Sequence, residues 1–304
     1  MTTTNRFVLS GIVIGLFAAC QTSSTEAPLF KLSQEINALF EETSGDFAIA
    51  FRLLNDTTQT ILINERESFH AASTMKTPVM IEVFKQAGEG EFSLRDSIPV
   101  TNEFTSIVDG STFSMDLGSD SQEELYDRIG RQASIYDLTY QMIIKSSNLA
   151  TNILIERVGA KAVTQTMRDL GAVDIQVLRG VEDQKAFDAG MSNTTTAYDL
   201  MVILEAISKG NAVNADASGQ MLKILGDQYF KDLIPKYLPQ QVKVAHKTGS
   251  ITGVQHDSAI VELPDGNRYV LVLLSKNLTD VAAGKETIAQ VSKLVYEYVS
   301  SLNL

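Results

Sequence analysis

The chain has 304 residues, enough for one large domain or two ordinary ones with a sizeable buried core. Apolar side chains make up 44% and charged ones 20%, a globular balance that excludes a disordered or collagen-like chain. Asp and Glu outnumber Lys and Arg by 37 to 25, a net charge of −12 that argues against a nucleic-acid partner. With one Cys and three His, a multi-Cys zinc site and a disulfide framework are both excluded. Chemistry therefore rests on hydroxyls, carboxylates and amines, with no metal or cofactor expected.

The first segment reads as an address. Met1 to Asn5 is mostly polar, Arg6 is the only charge, and Phe7 to Ala19 is almost wholly apolar. Such a short run suits the core of a signal peptide, whereas a spanning helix needs about 20 residues. It ends Leu16-Phe17-Ala18-Ala19-Cys20 and then turns polar. Two small residues ahead of the only Cys resemble the lipobox of bacterial lipoproteins, although Phe17 stands where Leu is usual. Residues 1–19 are thus expected to be a signal peptide, with Cys20 as lipid anchor. The protein is expected in the bacterial cell envelope or periplasm, touching the membrane only through that lipid. An ordinary cleaved signal with an incidental Cys is the alternative.

Leu29 to Glu42 places Leu32, Ile36, Leu39 and Phe40 at helical spacing. Asp46 to Leu54 and Thr60 to Asn64 are β-rich runs around Asn55-Asp56, a hairpin pattern. From Ser73 to about Leu225 the pattern is mostly helical. Ser134 and Asp137 look like a capping box opening a helix through Ile144. Ala150 to Val158 and Ala162 to Leu170 follow, and Thr196 to Ser208 is closed by Gly210. Gln86 to Gln132, rich in Gly, Ser and acidic residues, is the least interpretable part. Val242 to Lys247, Ser258 to Leu263 and Tyr269 to Ser275 are strand runs, and Glu286 to Ser300 is a final helix. The implied fold is α/β (α+β): an antiparallel sheet from both termini, flanked by helices, with a helical domain inserted. Its domains are residues 29–72 plus 226–304 (α/β) and 73–225 (helical), with a site in the cleft between them.

Three short motifs carry chemistry. Ser73-Thr74-Met75-Lys76 is the chain's only Ser-x-x-Lys. Pro78 is best tolerated near a helix start, so Ser73 reads as a helix N-terminus with Lys76 one turn on. A Ser hydroxyl needs a base, and a desolvated Lys can serve as one. An N-capping Ser followed by a surface Lys is the bland reading. Ser146-Ser147-Asn148 is a polar break between two helices, and Lys247-Thr248-Gly249-Ser250 ends a strand where Gly admits close backbone approach. Each is weak alone. Their order and separation together are not.

That order resembles the signature of active-site serine penicillin-recognising enzymes, and the spacing is most similar to class A β-lactamases. The resemblance implies the β-lactamase/transpeptidase-like fold and covers roughly Leu29 to Leu304. It implies Ser73 as the acylated nucleophile, Lys76 as its amine partner and Ser146 as proton relay to the leaving nitrogen. Asn148 would hold the substrate's side-chain amide, and Lys247, with Thr248 and Gly249, its carboxylate side. The backbone N–H groups of Ser73 and Ser250 would form the oxyanion hole, each such donor worth about 10²–10³ in rate.

The resemblance also calls for a loop Glu that activates the water releasing the acyl-enzyme. Glu182 falls near that position and Arg179 resembles the Arg that pins the loop. Adjacent Asp183 is an alternative base. Here Lys185-Ala186 stand where the family has Leu-Asn, so release of the acyl group is in question. Ser147 replaces the family's usual Asp. No Arg occurs between Arg179 and Arg268 to hold a substrate carboxylate, and His256 is the candidate in its place. His70 is given no role. The implied function is a monomeric serine β-lactamase acting on a small-molecule β-lactam. A slow-releasing peptidase or esterase of the same fold is the alternative, and a non-catalytic anchored sensor the remote one.

Overall fold

Strand runs from the two ends of the chain meet in a single sheet in the computed structural model, which describes residues 1–2 and 26–302. Apart from Met1 and Thr2, the expected signal segment and Cys20 lie outside the described residues.

In chain order, α1 (Glu26–Glu42) leads into β1 (Asp46–Leu53), β2 (Thr60–Ile63) and β3 (Phe69–His70). Then follow α2 (Lys76–Glu89), β4 (Ser97–Pro99), β5 (Phe104–Thr105), β6 (Thr112–Phe113) and β7 (Gln132–Ser134). The helical stretch holds α3 (Ile135–Ile144), α4 (Asn148–Val158), α5 (Ala160–Asp169) and α6 (Gln184–Asp188). After β8 (Thr194–Thr195) come α7 (Ala197–Ser208) and α8 (Ala215–Gly226). The chain closes with β9 (Lys243–Ile251), β10 (Val254–Glu262), β11 (Arg268–Lys276) and α9 (Val281–Ser301).

The main sheet runs β2-β1-β11-β10-β9, antiparallel throughout. Both faces are covered, which is why the central strands β1 and β11 read as nearly continuous apolar runs and not as strict alternation. On one face Ile49, Phe51 and Leu53 pack with Ile36 of α1 and with Ile288, Val291 and Val295 of α9. On the other, Ala48, Ala50, Ile260 and Val272 share a cluster with Val79 of α2, Leu138 of α3 and Leu204 of α7. To that cluster β1 contributes only the small side chains of Ala48 and Ala50, which leaves room for the helices to approach. The helical part and the sheet therefore meet across packed apolar surface, with β9 at the sheet edge.

Local signals explain the helix boundaries that matter for the site. Ser134 Oγ accepts from the Asp137 N–H at 3.1 Å, opening α3. The Asp137 carboxylate does not return the bond; it pairs with Arg128 at 2.6 Å, so the capping box is half built. Thr196 caps α7 in the same way. Ser73 lies in a 3₁₀ turn, Ala72–Met75, that runs directly into α2, and α2 itself starts at Lys76. From Lys76 to Phe84 every residue of α2 is buried, the mark of a helix enclosed on all sides.

Candidate active site

The three motifs arrive from three elements. Ser73 comes from the turn before α2, Ser146 to Asn148 from the break between α3 and α4, and Lys247 from β9. Two of the turns are strained: Ala72, just before Ser73, has φ +45°, and Ser146 has φ +58°. Non-glycine residues in this left-handed region cost roughly 1–2 kcal/mol each and persist where their surroundings over-determine them.

The surroundings are amines. Lys76 Nζ donates to Ser73 Oγ (3.0 Å), Ser146 O (2.6 Å), Ser146 Oγ (3.2 Å) and Asn148 Oδ1 (2.8 Å). Lys247 Nζ reaches the same hydroxyl from the far side, at 3.0 Å from Ser146 Oγ, and donates to Thr248 O at 2.9 Å. Both lysines are fully buried. Burial, opposed by the carboxylates of Asp120 and Glu182, brings Lys76 down from 10.5 to about 7. Burial and the nearby Lys76 hold Lys247 well below its ordinary value, against Asp257. A neutral Lys76 can serve the three nearest of its four partners, leaving Ser146 Oγ, at 3.2 Å, as the fourth. Two N–H groups meet the pure acceptors Ser146 O and Asn148 Oδ1, and the lone pair faces the Ser73 hydroxyl.

In front of these groups lies a cleft of about 330 Å³, lined by Ser73, Ser146, Asn148, Thr248, Gly249 and Ser250 together with the apolar Phe230 and Leu233. β9 passes very close to the serine turn. A Cβ at position 249 would lie 3.2 Å from the backbone nitrogens of both Ser73 and Thr74, so Gly249 is what permits the approach. That contact sets the Ser73 backbone beside the Gly249–Ser250 end of the cleft.

Glu182 enters from the loop before α6, where Asn148 Nδ2 donates to its Oε1 at 2.7 Å. Asn148 thus bridges Lys76 and Glu182 through the two ends of one amide. Glu182 is itself left-handed, at φ +61°. Its neighbours are both held. Val181 exchanges two hydrogen bonds with the Asn152 amide, at 2.7 and 3.0 Å. A Cβ on Gly180 would fall 2.2 Å from Asn152 Oδ1, so only Gly fits there. Asp183, buried, accepts from Ser106 Oγ, Ala186 N and Ile107 N at 2.9 to 3.1 Å. Its carboxylate faces away from Ser73 and toward the β5–β6 hairpin, which removes it as an alternative base. Arg179 is buried and donates to Met191 O and Gly180 O, gripping the loop through carbonyls.

A family model described as the Beta-lactamase enzyme family matches residues 31–299. The chain belongs to that family. It is 26% identical over 216 residues to a β-lactamase of Rhodobacter capsulatus, covering 70% of this chain and 69% of that one. Among solved structures it is similar to a leucine-to-glutamate variant of PBP-A held as an acyl-enzyme with penicillin G. That match has a TM-score of 0.78 and 27% identity over 90% of this chain and 98% of the other. A β-lactamase from Sphaerobacter thermophilus matches with a TM-score of 0.74 and 25% identity, over 91% and 99% of the two chains.

Against the β-lactamase family pattern, two residues stand differently from expectation. His256 does not reach the cleft. It is fully buried, with Nδ1 2.9 Å from Gln255 O and Nε2 2.9 Å from His70 O, and its ring meets Phe69 edge-on. Burial lowers it to about 4, in spite of the two carbonyls, so it is a neutral packed imidazole and not a carboxylate anchor. The second residue, Asp120, had no motif to announce it. Its carboxylate accepts from Asn148 N (3.1 Å) and Leu149 N (2.9 Å), capping α4 from a distant loop, while Ser147 Oγ accepts from Ala150 N. A carboxylate thus returns to the second motif from outside, where the family's Asp is replaced by Ser147. Ala186 is buried and meets the loop through its backbone alone, its N–H donating to Asp183 and its carbonyl accepting from Met191 N at 2.8 Å.

Proposed function

We propose that the protein is a serine β-lactamase of the class A type. The observation that carries this reading is the Lys76 amine, poised near neutrality, 3.0 Å from Ser73 Oγ. Acylation begins as the lone pair of neutral Lys76 takes the Ser73 proton and Oγ bonds to the β-lactam carbonyl carbon. The backbone N–H groups of Ser73 and Ser250 receive the developing oxyanion. The ring C–N bond then breaks, and Ser146 passes its proton to the nitrogen, drawing a replacement from Lys76, which holds the proton taken from Ser73. Lys247, Thr248 and Gly249 receive the substrate carboxylate, and Asn148 its side-chain amide. In the second half, Glu182 takes a proton from water as its oxygen bonds to the ester carbon. The ester C–O bond breaks and the proton returns to Ser73 Oγ.

Ala186 favours a second reading, a penicillin-recognising peptidase or esterase that is acylated by β-lactams and releases them slowly. Turnover separates the two. Purified protein is mixed with a chromogenic cephalosporin: steady hydrolysis abolished by Ser73→Ala supports the lactamase, a single stoichiometric burst supports slow release, and no product contradicts both.

The same reading makes the protein an exported monomer, lipid-anchored at Cys20 in the bacterial envelope. The apolar run before Cys20 supports it. Membrane fractionation of the native chain beside Cys20→Ala tests it: the protein moves from membrane to soluble fraction only if Cys20 carries the anchor.

A further inference from the structure

The segment from Gln86 to Gln132 contributes a hairpin, β5–β6, that lies against the loop carrying Glu182. Its contact is concentrated on one carboxylate. Asp183 follows Glu182 directly, is 3% exposed, and takes hydrogen bonds from Ser106 Oγ and the Ile107 backbone N–H of the hairpin. A third bond, from Ala186 N, turns the same carboxylate back on its own loop at 3.1 Å. Outside this buried knot, Lys185 pairs with Asp109 at 2.6 Å, an exposed contact of little weight.

We infer that Asp183 is a positioning residue for acyl-enzyme release, the pin by which the hairpin holds Glu182 in its left-handed conformation. The inference rests on the assignment of Glu182 as the base for water. Glu182 sits at φ +61°, a backbone state that an unrestrained Glu leaves readily. Staying there requires both neighbouring residues to be fixed. Asn152 fixes the Val181 backbone from the α4 side, and the hairpin holds the residue on the other side of Glu182 by its side chain, the Asp183 carboxylate. The carboxylate type matters as well as the shape. Three donors converge on it, and an amide at this position would turn one N–H toward donors it cannot accept. The bonds from Ala186, Ile107 and Ser106 outweigh the effect of burial and keep Asp183 below its ordinary value, so the group stays ionised and accepting at neutral pH. Ala186 offers no side-chain amide to help orient a water, which leaves placement of Glu182 itself as the chain's means of doing so.

The consequence is a split between the two halves of the reaction. The hydrogen bonds of Ser73, Lys76 and Ser146 come from elsewhere than the hairpin, so acylation feels it only through the Asn148–Glu182 link and changes little, while release slows. The test measures both rates separately for Asp183→Asn, Ser106→Ala and Glu182→Gln, by stopped-flow acylation with a chromogenic cephalosporin and by intact mass of the adduct over time. Acylation rates within about threefold of the parent, with an adduct lifetime lengthened by about tenfold to a hundredfold, are expected for Asp183→Asn, since an ångström of misplacement costs up to about 10². Ser106→Ala, which removes one of the three bonds and keeps the fold if Asp183→Asn does not, is expected to lengthen it several-fold with little change in melting temperature. A normal adduct lifetime in both variants, alongside a trapped adduct in Glu182→Gln, overturns the role of Asp183 and leaves Glu182 as base. Failure of Glu182→Gln to trap any adduct overturns the assignment of Glu182 and this inference with it.

Discussion

Lys76 Nζ donates to the backbone carbonyl of Ser146 at 2.6 Å, the shortest of its four contacts. That carbonyl is turned inward because Ser146 adopts φ +58°, so the strained turn between α3 and α4 exists together with the buried amine it receives. A pure acceptor at this distance occupies one N–H of Lys76 in either protonation state. The lone pair of the neutral amine is left directed at Ser73.

A pH profile follows from this. Burial sets Lys76 at about 7, and only the neutral amine accepts the Ser73 proton. The acylation rate, read as kcat/KM, is expected to be flat above about pH 8 and to fall about tenfold per unit well below pH 7. An acid limb near 10, the ordinary lysine range, contradicts the assignment of Lys76 as base.

Asp120 sharpens the same point. Its charge raises Lys76, so Asp120→Asn is expected to move the acid limb to lower pH. The variant also loses part of the cap on α4, at a cost of about 1 kcal/mol in stability. The two effects are separable: urea titration reads the second, and the pH profile the first. An acid limb that stays in place shows that Asp120 only caps the helix.

How much of this was legible in sequence depends on the range of each signal. The serine, lysine and strand-end motifs are local, and their order by itself points to one cleft. The sheet from both termini was legible because β1 and β11 are largely apolar runs and β10 ends in a shorter one. Asp120 was not, since a carboxylate capping a helix 28 residues away leaves no periodic trace. The β5–β6 hairpin was lost for a different reason: strands of two residues are too short to show alternation. His256 failed on parity. With a strand read from Ser258, His256 belongs to a loop near the cleft; β10 in fact begins at Val254, so His256 shares a face with Ser258 and Ile260 and turns inward.

His256 accordingly yields its own prediction. Held at about 4 by burial, its ring is expected to stay neutral from pH 8 to pH 5 in a two-dimensional NMR titration. A midpoint between 6 and 7 contradicts its packed, neutral placement.

Gly249 offers a test of backbone proximity. In Gly249→Ala the new methyl would stand 3.2 Å from two backbone nitrogens that cannot swing away as a side chain can. β9 and the Ser73 turn must separate, disturbing the proposed oxyanion donors. Acylation is expected to slow by about 10² or more, as for loss of one donor, with the strand pairing and overall fold retained. An unchanged acylation rate contradicts the placement of the oxyanion hole at this junction.

The central claim is that Ser73 carries the acyl group and Glu182 releases it. Intact-protein mass spectrometry of Glu182→Gln after brief exposure to penicillin G tests it most directly. The account predicts one stoichiometric adduct, mapped to Ser73 by peptide digestion and persisting after the parent protein has returned to its free mass. An adduct on another residue, or none in either protein, would contradict it.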